Sequence, residues 1–149
     1  DSNQSVHVDY PFYLLLSERE SKDTNDSSLI SYFTYDHLTY LFMGDASKQI
    51  EKQLMATYDL KADVIKVGHH GSNTSSDPDF LDSLDCKVAL ISCGYKNKYG
   101  HPSVETLKTL ENLHINTLCT SDCGSIAMYS LFHFSFVVTN DGMFGIIWT

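Results

Sequence analysis

The hydrophobic period of this chain switches back and forth between residues 47 and 119, and few architectures accept such an alternation. Residues 63–67 (Asp-Val-Ile-Lys-Val), 87–92 (Lys-Val-Ala-Leu-Ile-Ser) and 115–119 are short apolar runs of the kind that buried strands have. Helical signals separate them. Ser47 precedes Ile50, Leu54 and Tyr58, which recur every four residues and predict a helix with Ser47 as its cap. Asp77-Pro78 supplies an N-cap followed by proline at the first helical position, opening a short helix through Phe80, Leu81 and Leu84. Ser103 then caps a helix with Val104, Leu107 and Leu110 on one face. A mixed sheet with helices against one face satisfies this order.

The two ends read differently. A short apolar run at 10–16 can be a strand, and the aromatic and β-branched runs 29–35 and 38–43 flank Asp36-His37 as an antiparallel hairpin. Residues 125–130, 131–139 and 143–148 are strand-like, with an Asn140-Asp141-Gly142 turn before the last. The polar segment 17–28 has nothing to bury and predicts a flexible loop. The 149 residues suit a single domain, and a hydrophobic fraction of 42% excludes disorder as the main state. No apolar run approaches the ~20 residues of a membrane helix, so a soluble domain is expected.

Charge narrows the function. Ten Lys and Arg against 19 Asp and Glu leave a formal net charge of −9, and no basic run exists. Passive binding to a phosphate backbone is therefore disfavoured, and an action on nucleic acid would need divalent metal to supply local positive charge. Cys86, Cys93, Cys119 and Cys123 read as four separate thiols, mostly buried beside strands, with a Cys119–Cys123 disulfide across a turn as the alternative. The chain begins at Asp1, without initiator or signal peptide, and is read as a piece of something longer.

Three loops carry groups that can do chemistry, and each follows a strand. Met43-Gly44-Asp45 offers a carboxylate just past a buried strand, either a metal ligand or the cap of the next helix. Gly68-His69-His70-Gly71-Ser72 sets two imidazoles between glycines, as metal ligands, a general base or hydrogen-bonding loop residues. Tyr99-Gly100-His101-Pro102 places a third histidine beside a helix start. If the three strands are parallel, the loops converge at one sheet edge. An aspartate with several histidines is the donor set of a zinc or manganese hydrolase. His7, His37, His114 and His133 lie outside these loops and read as structural or surface groups.

These blocks carry a resemblance. The segment from Asn25 to Leu29, Phe42-Met43-Gly44-Asp45, the run from Ala62 to Ser72, Ala89-Leu90-Ile91-Ser92, Asn97 to Pro102 and Thr120 to Ile126 stand in an order similar to the metallo-β-lactamase-fold domain of ComEC-type competence proteins. The resemblance covers roughly residues 25–130 and implies an α/β fold, an αββα sandwich of which this chain is the C-terminal half. It implies two divalent metal ions, zinc or manganese, in the complete domain. Asp45 matches the aspartate that bridges the metals, His69 the late histidine ligand with His70 as the alternative, and His101 a catalytic histidine beside the reacting phosphate, donating a proton or stabilising charge. Asn25 to Ser28 would order the loop before the hairpin. The family's His-x-His-x-Asp-His cluster is absent from the chain.

The implied function is metal-dependent phosphodiester hydrolysis, a nuclease acting on DNA during uptake. The domain would belong to a bacterial membrane protein, on its extracellular face, joined to a membrane channel. A small-molecule phosphodiesterase, such as one acting on phosphorylcholine, is the alternative; it calls for aromatic rather than basic residues at the site. A non-catalytic interaction module is the other. The geometry expected is Asp45 and His69 within one ligand shell, with His101 bordering the same cleft. Two ligands fall short of the three that catalytic zinc usually takes, so the chain alone is expected to be inactive and to hold little or no metal. Exposed strand edges would favour a homodimer.

Overall fold

A computed structural model describes residues 11–16, 24–132 and 134–147. The expectations for His7, for His133 and for most of the 17–28 loop therefore lie outside the described residues. Two sheets are present. The larger has six strands in chain order: β1 (Phe12–Leu15), β2 (Ile30–Tyr35), β3 (Leu38–Phe42), β4 (Val64–Lys66), β5 (Val88–Ile91) and β6 (Asn116–Cys119). The first three pair antiparallel, as the hairpin signal predicts, and β3 to β6 pair parallel. Parallel neighbours need crossovers, and the helices α1 (Lys48–Thr57), α2 (Pro78–Ser83) and α3 (Val104–Asn112) fill them.

The helices bury their apolar faces on one side of this sheet. Ile50 and Leu54 of α1, Phe80 and Leu81 of α2 and Leu110 of α3 meet Leu41, Ile65 and Ala89. On the opposite side, Leu38, Tyr40, Val64, Val88 and Leu118 pack against Val137 and Ile147 of a second sheet. That sheet is antiparallel and comprises β7 (Ile126–Leu131), β8 (Phe134–Thr139) and β9 (Phe144–Ile147), reached through the single turn α4 (Thr120–Cys123). The layers are thus helices, mixed sheet and antiparallel sheet, a mixed α/β architecture with helices against one face of the six-stranded sheet.

Several local expectations change. Ser47 occupies the N-cap but its hydroxyl makes no capping bond; Lys48 N–H, in the first turn, donates instead to Thr74 O at 2.8 Å. Tyr58 is exposed and falls just beyond the helix, which ends at Thr57, one residue short of its predicted anchor. Val104 and Leu107 are exposed and only Leu110 of that trio is buried; Thr106 takes the inner position because its hydroxyl donates to Ser72 O. All four cysteines are free thiols: Cys123 Sγ donates to Cys119 O, while the neighbouring sulfur of Cys119 is that of Cys93, 3.2 Å away. Asp77 and Ser103 do cap their helices, accepting from the Phe80 and Thr106 N–H groups respectively.

Candidate functional site

The parallel strands β3, β4 and β5 are adjacent and end at Phe42, Lys66 and Ile91, so the three chemical loops emerge side by side. His37 and His114 lie at the other end, in the β2–β3 turn and just ahead of β6. The loops are bonded to one another. His69 N–H donates to Gly44 O at 3.0 Å, and Ser103 N–H donates to Gly71 O at 2.8 Å. Gly71 has φ +79°, and a Cβ there would stand 2.8 Å from Pro102 Cβ, so the histidine loop and the His101 loop touch through a position that only glycine fits. His69 and His70 both take left-handed backbone angles, φ 45° and 56°, which turn their rings out of the strand end.

Asp45 does not cap α1. Its side chain is partly exposed and faces an imidazole: His70 Nε2 lies 3.8 Å from Asp45 Oδ1. A carbonyl can only accept, so the 2.6 Å contact between His70 Nδ1 and Ser92 O fixes the proton on Nδ1. The lone pair of a neutral His70 is then on Nε2, towards Asp45. Metal-binding histidines are held in this way by an outer hydrogen bond. His69 lies beside this pair, its ring 6.4 Å from that of His70 and 5.7 Å from that of His101, with Nδ1 3.3 Å from the Thr74 hydroxyl. The imidazole nearest Asp45 is therefore that of His70, while His69 sits between it and His101.

The three imidazoles also act on one another electrostatically. Burial lowers the pKa of His101 first, and the neighbouring His69 and His70 lower it further. Lys66, at the end of β4, is half-buried; burial lowers its pKa while the charge of Asp45 raises it. Lys66 thus shares the electrostatic environment of Asp45, a residue whose strand setting gave no sign of it. A cavity of about 440 Å³ opens beside the loops, bordered by His70, Cys93, Asn97, Tyr99 and His101.

Sequence reasoning also missed the supports. Ser28 Oγ accepts from Asp45 N–H at 3.0 Å, and the buried Asp26 accepts from Ser47 N–H at 3.1 Å. The 25–28 turn therefore holds the Asp45 loop, beyond ordering its own. Asn97 clamps the other wall: it donates to Gly94 O and His101 O and accepts from His101 N–H. An amide flanked by lysines and bracketed by glycines was the one available signal.

The donors fit the edge of a metal site and do not complete one. Among the described residues no three His, Cys, Asp or Glu side chains are gathered so as to hold an ion. Asp45 and His70 offer one carboxylate and one oriented imidazole, fewer than the three protein ligands that catalytic zinc usually takes.

No family model matches the chain. It is similar to ComE operon protein 3 of Bacillus subtilis, 36% identical over 120 residues that make up 79% of this chain and 16% of that protein. It is similar to Competence protein ComA of Neisseria gonorrhoeae, 33% identical over 126 residues, 83% of this chain and 18% of that protein. Over a shorter stretch, 47% of the chain, it is 39% identical to Recombination protein 2 of Haemophilus influenzae, covering 9% of that protein. The chain thus corresponds to a small portion of the competence proteins it matches. Among the described residues no helix is long and apolar enough to cross a membrane.

Proposed function

We propose that this chain contributes one side of a divalent-metal phosphodiesterase centre in a competence protein, acting on DNA during uptake. The observation that carries the reading is the convergence of Asp45, His69, His70 and His101 beyond three adjacent parallel strands, with His70 Nε2 turned towards Asp45 by its bond to Ser92 O. The similarity to competence proteins over about four-fifths of the chain supports the setting. Asp45 and one of the paired histidines, His70 by its approach to the carboxylate or His69 by motif, would hold the ions together with donors outside these 149 residues. Zinc or manganese, when bound, activates a water and neutralises charge on the phosphate. His101 borders the cleft, where it would donate a proton to the reacting phosphate or stabilise its charge. The remainder of such a protein would include a membrane channel, with this domain on the extracellular face. By itself the chain would self-associate through its exposed apolar strands.

A small phosphodiester such as phosphorylcholine calls for aromatic walls without basic ones. Asn97 and Tyr99 line the cavity, and Lys96 and Lys98 stand beside them in sequence on the same loop, which favours a polyanionic strand. The test is turnover of bis-(p-nitrophenyl) phosphate with added Mn²⁺ or Zn²⁺. The 149-residue chain should be inactive or nearly so, and a longer chain carrying the His-x-His-x-Asp-His cluster should turn over and lose this on Asp45→Ala. A longer chain indifferent to Asp45→Ala would refute the proposal.

A further inference from the structure

The loop from Gly94 to Gly100 does more than frame His101. Tyr95 and Tyr99 are 75% and 69% exposed, unusual for large rings in an acidic chain with a packed core. Lys96 Nζ stands 5.2 Å from the centroid of Tyr95 and Lys98 Nζ 5.0 Å from that of Tyr99. Five other lysines are engaged, while Lys108 is exposed on α3. Lys48, Lys52 and Lys87 pair with Glu105, Asp77 and Asp63, and Lys61 and Lys66 donate to backbone carbonyls. Among the described residues no carboxylate lies within ion-pair distance of Lys96 or Lys98. A chain of net charge −9 therefore places these two cations, interleaved with two open aromatic rings, on the loop that ends at its candidate centre.

We infer that the Tyr95-Lys96-Asn97-Lys98-Tyr99 loop is a binding platform for single-stranded DNA, which it feeds to the site proposed above; the inference rests on that reading for its location and deepens it by naming the substrate's form. Exposed rings stack on bases only where the bases are unpaired, and stacking tolerates any sequence. A duplex hides those faces. Tyr99 stacks at 18° and 5.9 Å on His101, whose ring lies 5.7 Å from that of His69. A base entering the cavity beside Tyr99 therefore brings its own phosphate to the histidines. The ammonium groups ride over the rings and, displaced by a base, remain at its edge, where the flanking phosphates lie. Asn97, bonded to Gly94 O and to both backbone groups of His101, fixes the spacing between platform and centre.

The test is fluorescence anisotropy of a labelled dT12 strand with the 149-residue chain in EDTA, across a salt series, beside a 12-base-pair duplex. The strand should bind at least tenfold more tightly than the duplex. Tyr95→Ala and Tyr99→Ala should each weaken strand binding roughly five- to 150-fold, the range that one base–aromatic stack is worth, while Tyr99→Phe retains it. The double variant K96Q/K98Q should reduce the salt slope by roughly 1.4, about 0.7 for each single-strand phosphate that a lysine no longer neutralises, and Lys108→Gln on α3 should leave it unchanged. No measurable strand binding at 50 mM salt, affinity indifferent to both tyrosines, or a duplex bound as tightly as the strand would each overturn the inference. EDTA separates the two claims. A protein that binds the strand through this loop but never hydrolyses a phosphodiester defeats only the proposed function, and hydrolysis with strand binding blind to the loop defeats only the platform.

Discussion

Glu51 shows how one buried group sets a solution property. Its carboxyl lies under α1, accepts from the Ser76 and Asp77 N–H groups at 2.8 and 2.7 Å, and is only 1% exposed. Burial pushes its pKa up to about 7, against the downward pull of those two donors. Below about pH 4.5 the carboxyl is protonated whether the chain is folded or not, and the fold has its full stability in this respect. As pH rises towards 7 the unfolded chain ionises while the folded one keeps its proton, so stability falls, by roughly 3 kcal/mol at most. Urea unfolding between pH 5 and 8 should show this decline, and Glu51→Gln should flatten it; an unchanged slope in the variant would assign it elsewhere. Gly71 makes the complementary case. At φ +79° with Pro102 Cβ in the place of its own, Gly71→Ala should cost at least about 1–2 kcal/mol, read as a lowered urea midpoint.

At the scale of elements, each strand of the parallel set is visible as an apolar run, because strands covered on both faces carry no alternation to blur them. They begin or end one residue inside the expected bounds: Val64–Lys66, Val88–Ile91 and Asn116–Cys119. Helix faces were less legible. Val104 and Leu107 have the right spacing but point to solvent, since α3 docks through Thr106 and Leu110 and a hydroxyl bonded to Ser72 O does not register as hydrophobic. The residues of the site were legible from their loops and from the resemblance. Their supports were not: Ser28 reaches Asp45 across 17 residues of sequence, and which imidazole faces the carboxylate depends on two left-handed backbone angles. Asn97 gives that scale its prediction. His101 N–H donates to Asn97 Oδ1, so Asn97→Ala should speed hydrogen exchange at the His101 amide about tenfold, the worth of a single hydrogen bond, while core strand amides keep their protection. Equal exchange in both proteins would mean that the loop holds its shape without the clamp.

Across the whole molecule, the two sheets differ in what covers them. The six-stranded sheet has helices on one side and β7 to β9 on the other. The outward face of β7 to β9 carries Tyr129, Leu131, Phe134, Phe144 and Ile146, each about half exposed, and the edge strand β1 adds Phe12, Tyr13 and Leu14. The apolar surface is thus a sheet face as well as the strand edges that sequence reasoning expected, and contiguous surface of this kind marks contact with another chain or segment. Sedimentation of the 149-residue chain should show self-association that rises with concentration and is weakened by joint Phe134→Ser and Phe144→Ser replacement; a monomer at every concentration would mean that this face is stable in water. The central claim, that Asp45 and the three loop histidines form one side of a metal centre, has a direct test in the imidazole proton resonances during Mn²⁺ titration. The account predicts saturable paramagnetic broadening of His69, His70 and His101, at metal concentrations well above micromolar, with His37 and His114 spared and the effect lost in Asp45→Ala. Broadening spread evenly over all the histidines, or unchanged by Asp45→Ala, would contradict it.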